Sequence, residues 1–200
     1  MTQTENGSGD LGYIDYAAIL GVPQDARPGD VRNVYKKRMR ELVRDISESQ
    51  LTEAKRSRFL LEMAKLNAAL FILRDREQRD AYFAARNHLI ELERDWREAV
   101  EQGGSDAENL RREYDRLLRD FLSRYVEELM LGAGTDAECI EASGWDAAHA
   151  RHAAPLLRHY RHTLQQQILA RLPYFEVTPP QVDWHERGEW IDRMIAEGAR

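Results

Sequence analysis

Two runs of apolar residues at helical spacing constrain this chain more than anything else in it. Between Asp30 and Asp45, Val31, Val34, Tyr35, Arg38, Met39 and Leu42 recur at steps of three and four, while Arg32, Lys36, Lys37 and Arg40 occupy the other face. That is the signature of an amphipathic helix. From Thr52 to Leu73 the pattern returns with Phe59, Met63, Leu66, Leu70 and Leu73. Two such helices joined by the short polar loop Ser47–Gln50 bury their stripes against each other as an antiparallel pair. The expectation is an all-α fold with Tyr35, Met39, Phe59, Leu66 and Leu70 between the two helices.

The punctuation around this pair agrees. Tyr13 to Leu20 reads as a short helix stopped by Gly21-Val22-Pro23, with Gly free to take a left-handed cap. Arg27-Pro28-Gly29 is a turn, and Asp30 is placed to cap the next helix with its carboxylate. Arg76 to Gln102 continues as one long helix striped by Tyr82, Phe83, Leu89, Leu92, Trp96 and Val100, until Gly103-Gly104-Ser105 breaks it. Leu110, Tyr114, Leu117, Leu118, Phe121, Tyr125 and Leu129 mark a helix over 106–131. Further helices are expected over 147–171 and 183–196. Between them Leu172 to Pro180 reads as an extended strap, because its paired prolines favour polyproline II.

The residues from Asp15 onward carry a family resemblance. Asp15-Tyr16-Ala-Ala-Ile19-Leu20-Gly21-Val22, then Asp30-Val31-Arg32-Asn33-Val34-Tyr35-Lys36-Lys37, then Leu66-Asn67-Ala-Ala69-Leu70-Phe-Ile72-Leu73, with Asp75, Arg79 and Tyr82 after them, resemble a J-domain, the module of DnaJ-type co-chaperones. The resemblance covers about residues 13–86. It implies a J-like domain over 13–86; the polar, Gly/Ser-containing start reads as a tail over 1–12, and the helical periodicity beyond reads as a C-terminal helical domain over 87–200. In the family a His-Pro-Asp motif follows the second helix and stimulates ATP hydrolysis by a DnaK-type chaperone. Here Val43, Arg44 and Asp45 stand in those positions. Val43 has no imidazole, and Arg44 lets the helix run on where a proline would break it. The resemblance therefore implies a scaffold kept for docking, with the stimulating chemistry lost.

Charge is distributed in blocks. Arg27 to Arg58 holds ten Lys/Arg against five Asp/Glu, a net of +5. By resemblance, Arg32, Lys36, Lys37, Arg40, Arg44 and Asp45 are the partner-facing set. Asn87 to Asp146 holds seven Arg against sixteen acids, a net of −9, whereas Ala147 to Phe175 holds no acid at all. In that acid-free block Arg151, His152, Arg158, His159, Arg161 and His162 form a second candidate docking set, open to an acidic partner or paired with the acidic block before it. His149, His152, His159 and His162 also raise a zinc site, but no acid in the stretch orients an imidazole and Pro155 interrupts it, so no metal is expected.

Composition excludes several classes. The 200 residues carry a net charge of −6, which argues against general nucleic-acid binding. No stretch reaches the roughly 20 apolar residues of a membrane span, and Met1 to Asp10 lacks the features of a signal peptide. The single cysteine, Cys139, fits a reducing cytoplasm. No phosphate loop, nucleophile elbow or paired catalytic carboxylates emerge, and no cofactor is implied. The expected function is a non-catalytic adaptor binding a DnaK-type chaperone, a client complex or a second copy of the chain. The rivals are an active co-chaperone and a metal protein or enzyme built on the histidines.

Overall fold

The computed structural model describes residues 13–48 and 52–172. The N-terminal tail, the strap beyond Leu172 and the expected helix over 183–196 lie outside those residues. Every element described is helical. In chain order they are α1 (Tyr16–Leu20), α2 (Pro28–Glu48), α3 (Glu53–Leu73), α4 (Arg76–Glu101), α5 (Ala107–Leu122), a π turn (Ser123–Glu128), α6 (Leu129–Gly132), a 3-10 turn (Ala133–Thr135), α7 (Ala137–Ser143) and α8 (Ala147–Leu169).

The boundaries follow local chemistry. Asp15, Thr52, Asp75, Asp136 and Asp146 each accept first-turn amides as side-chain caps. Gly21 closes α1 at φ 72°. Asp30 is not a cap: α2 begins two residues earlier at Pro28, whose fixed φ suits a first helical turn. The same helix absorbs Ser47, shortening the expected loop.

The expected pair is present. Tyr35, early in α2, donates to Asn67 Oδ1 late in α3 at 2.8 Å, so the two helices run antiparallel. Tyr35, Met39, Leu66 and Leu70 are buried, while Phe59 is only half-buried. The stripe description fails for α3 itself. Its second half is buried all round, with Ala64, Ala68 and Ala69 among the sealed residues. The reason is position: α3 packs against α1, α2, α4, α6, α7 and α8, and its alanines let those neighbours approach.

One hydrophobic core unites the described residues from Tyr13 to Leu172. The start of the chain is bolted into it. Tyr13 donates to Glu93 Oε2 at 2.6 Å and meets the Tyr114 hydroxyl, which ties the first described residue to α4 and α5. The buried Glu93 carboxylate also takes Arg97 at 2.8 Å. Tyr82 bonds the Ile14 carbonyl and accepts the Tyr16 amide at 3.3 Å.

The helix expected over 106–131 is interrupted. Leu129 sends its N–H to Arg124 O, a five-residue step, instead of to Tyr125 O. The hydroxyl of Tyr16 donates to that Tyr125 carbonyl. A side chain entering the ladder from α1 thus sits where the register widens into the π turn. α8 runs through Pro155 without a break. Proline costs a helix interior about 3 kcal/mol in isolation, and packing of α8 on α3 offsets it.

Candidate partner-binding surface

The basic face of α2 divides into two halves. In the first, Arg32 Nε lies 3.1 Å from Glu138 and Lys36 Nζ 4.0 Å from the same carboxylate. Arg74, from the end of α3, joins them at 3.2 Å from Glu138 and 2.9 Å from Asp136. α7 therefore brings its acidic first turn onto α2, and Arg32 and Lys36 are engaged inside the molecule. In the second half, Lys37, Arg40 and Arg44 are exposed and fall three and four residues apart on one stripe. Arg40 Nε donates to the Lys36 carbonyl at 3.1 Å, and among the described residues Arg44 has only its neighbour Asp45, at 3.8 Å, as an ionic partner. α2 continues without a break through Val43, Arg44 and Asp45.

The Arg74 guanidinium holds the Asp136 carboxyl down at about 2. A depressed carboxylate contributes stability above its unfolded pKa of about 3.9 and loses it as pH falls toward 2. Arg74→Ala is expected to cost about 1–3 kcal/mol at pH 7 and much less near pH 2. Urea midpoints of both proteins at the two pH values check this; a constant gap between them would assign the loss to packing.

On α8 the expected basic face is partly spent as well. Arg161 Nη1 lies 3.0 Å from Glu127 and Arg158 Nε 3.8 Å from it, so the acid-free block pairs with the acidic block at this point. Arg151, His152, His159 and His162 are exposed. His149 is oriented by an acid that lies just ahead of the acid-free stretch. Its Nδ1 lies 2.7 Å from Asp146 Oδ1 in a reciprocal capping box, and its ring stacks on Trp145 with centroids 5.7 Å apart. Among the described residues no three His, Cys, Asp or Glu side chains gather in a way that could hold a metal ion.

Of the two candidate sets, only His152 reaches a groove between α2, α3 and α8. Ile46 from the end of α2, Phe59, Leu60 and Met63 from α3, and Ala148 from α8 enclose about 200 Å³, with Arg56, His149 and His152 at its rim. Among the described residues no carboxylate lines it. Half-buried Phe59 is explained here: its period points it to the helix interface, but α8 leaves that end open.

Sequence reasoning missed a buried polar group beneath α7. Asn67 Nδ2 reaches Ser143 Oγ at 3.4 Å, Ser143 donates to the Cys139 carbonyl at 2.6 Å, and the Cys139 thiol faces Asn67 O at 3.6 Å. Burial pushes the thiol up to about 12. The serine proton is committed to a backbone carbonyl, so the group locks α7 onto α3 and presents no activated nucleophile. The only hint in the sequence is a run of polar residues between Gly134 and Gly144, too short to show a period.

Among the described residues no helix is long and apolar enough to cross a membrane. No protein-family model, no curated protein and no solved structure significantly matches this chain.

Proposed function

We propose that this protein is a non-catalytic, J-like adaptor of the cytoplasm that docks an acidic protein surface. The observation that carries the reading is the open cationic stripe of Lys37, Arg40 and Arg44, which no acid of α7 covers. Such a stripe attracts and orients an acidic partner, because summed surface charge speeds encounter and selects register. The resemblance over residues 13–86 supports a DnaK-type chaperone, or a complex that contains one, as that partner. Val43-Arg44-Asp45 within an unbroken helix supports docking without stimulation.

The expected result is that single-turnover ATP hydrolysis by a DnaK-type chaperone is unchanged when this protein is added. Separately, a pull-down from the native host should yield proteins that are lost when Lys37, Arg40 and Arg44 are all reversed to Glu, with helix content by circular dichroism intact. A several-fold rise in hydrolysis that vanishes in Asp45→Ala would overturn the non-catalytic reading in favour of an active co-chaperone.

A further inference from the structure

The π turn changes which residues face together. In an uninterrupted α-helix, residues four apart drift by about 40° per step. One extra residue absorbed in a π turn rotates everything after it back by about 100°. Leu117, Phe121 and Tyr125 ahead of that rotation, and Leu129 and Gly132 after it, line one wall from α5 into α6. Facing them, Glu77, Ala81, Ala85 and His88 lie four, four and three apart, a single stripe of α4. Two clefts of about 490 and 200 Å³ lie along these walls and share Arg124 and Tyr125. Together they form a channel about 16 Å long, counted from Glu77 to His88 at 1.5 Å per residue.

The channel has an apolar floor and an acidic rim. Phe71 and Ile72 close its base from α3. Three carboxylates line it, Glu77, Asp120 and Glu128, against one guanidinium, Arg124. Among the described residues no cation pairs with Glu77 or Glu128; Glu128 only accepts from Ser123 at 3.1 Å. Asp120 lies 3.8 Å from Arg116, and Arg124 stacks over Tyr125 at 5.4 Å. Ala81 and Ala85, one turn apart, leave the depth that an incoming helix needs. No sheet edge exists among the described residues to accept a strand.

We infer that this channel docks an amphipathic helix of a partner protein whose apolar stripe is flanked by lysine or arginine. The site is formed by α3, α4, α5, the π turn, α6 and the 3-10 turn, and shares no residue with the set Lys37, Arg40 and Arg44. Its success or failure is independent of the chaperone reading.

The test uses the full chain and two fluorescein-labelled helical peptides of about 16 residues. One carries a leucine stripe flanked by lysines, the other the same stripe flanked by glutamates, and fluorescence anisotropy reads binding. The lysine peptide is expected to bind at least about tenfold more tightly than the glutamate peptide. Ala81→Trp fills the channel from an exposed position and should abolish binding of the lysine peptide. Glu77→Lys combined with Glu128→Lys should reverse the preference, and this second variant carries the test if the first one perturbs folding. Equal affinity for the two peptides, or binding that persists unchanged in both variants, overturns the inference. A dimer in sedimentation velocity that Ala81→Trp dissociates would give the channel to a second copy of the chain and overturn the foreign partner.

Discussion

Leu66→Ala is expected to lower the unfolding free energy by about 2–5 kcal/mol. Leu66 is 6% exposed on α3, which packs against α1, α2, α4, α6, α7 and α8, so a neighbour that closed the void would leave another contact. For a chain of this size that loss corresponds to a drop in Tm of roughly 4–20 °C. Lys37→Ala, on the open stripe, is the matched control and should stay within about 0.5 kcal/mol of the parent. Thermal melts of the three proteins decide the matter. A Leu66 variant that melts with the control would show that α3 is not the centre of the fold.

The second large effect comes from a residue with no side chain. A Cβ at Gly134 would sit 2.2 Å from Trp145 Nε1 and 2.6 Å from its Cδ1. Neither side can yield easily. The 3-10 turn is held between α6 and α7, and the indole is buried and stacked on His149, immediately ahead of the Asp146 cap of α8. Gly134→Ala is therefore expected to cost about 1–3 kcal/mol through overpacking and to shift tryptophan fluorescence. If the collision with the indole is the cause, Gly134→Ala combined with Trp145→Phe will cost less than the two single changes added together, by about 0.5–3 kcal/mol. Strict additivity would place the damage elsewhere.

Residues with a local mechanism made the first half of the fold legible. Gly21 marks a helix end because a left-handed glycine acts on atoms a few residues away, and Thr52 restarts the helix in the same local way, whereas the cap expected at Asp30 is replaced by a start at Pro28. The burial of Tyr35 and Leu66 was legible because an unpaired apolar stripe has to be covered. What stayed hidden is what distant residues impose. The π turn lies in a stretch with an unbroken α-helical period, and its register changes where Tyr16, more than a hundred positions earlier, reaches the Tyr125 carbonyl. α3 reads as one-sided, yet its second half is buried on nearly every side because five other helices besides α2 converge on it. For the candidate surfaces, the sequence listed the cations but not their opponents. Only the fold brings Glu138 to Arg32 and Lys36, or Glu127 to Arg158 and Arg161. The channel beside α4 was invisible for another reason: alanines facing open space leave no pattern.

The lone thiol under α7 has a kinetic consequence. Cys139 is fully sealed, and the chain has no other cysteine. A thiol reagent can react with the native protein only during moments when α7 lifts from Asn67 and Tyr35. Under excess reagent the labelling rate thus becomes a clock for that opening, read from a single atom without any engineered probe. Because Asp136 and Glu138 ride on the same short helix and grip Arg32, Lys36 and Arg74, the clock should run faster whenever those grips are loosened, and so report how often the engaged half of the α2 face comes free.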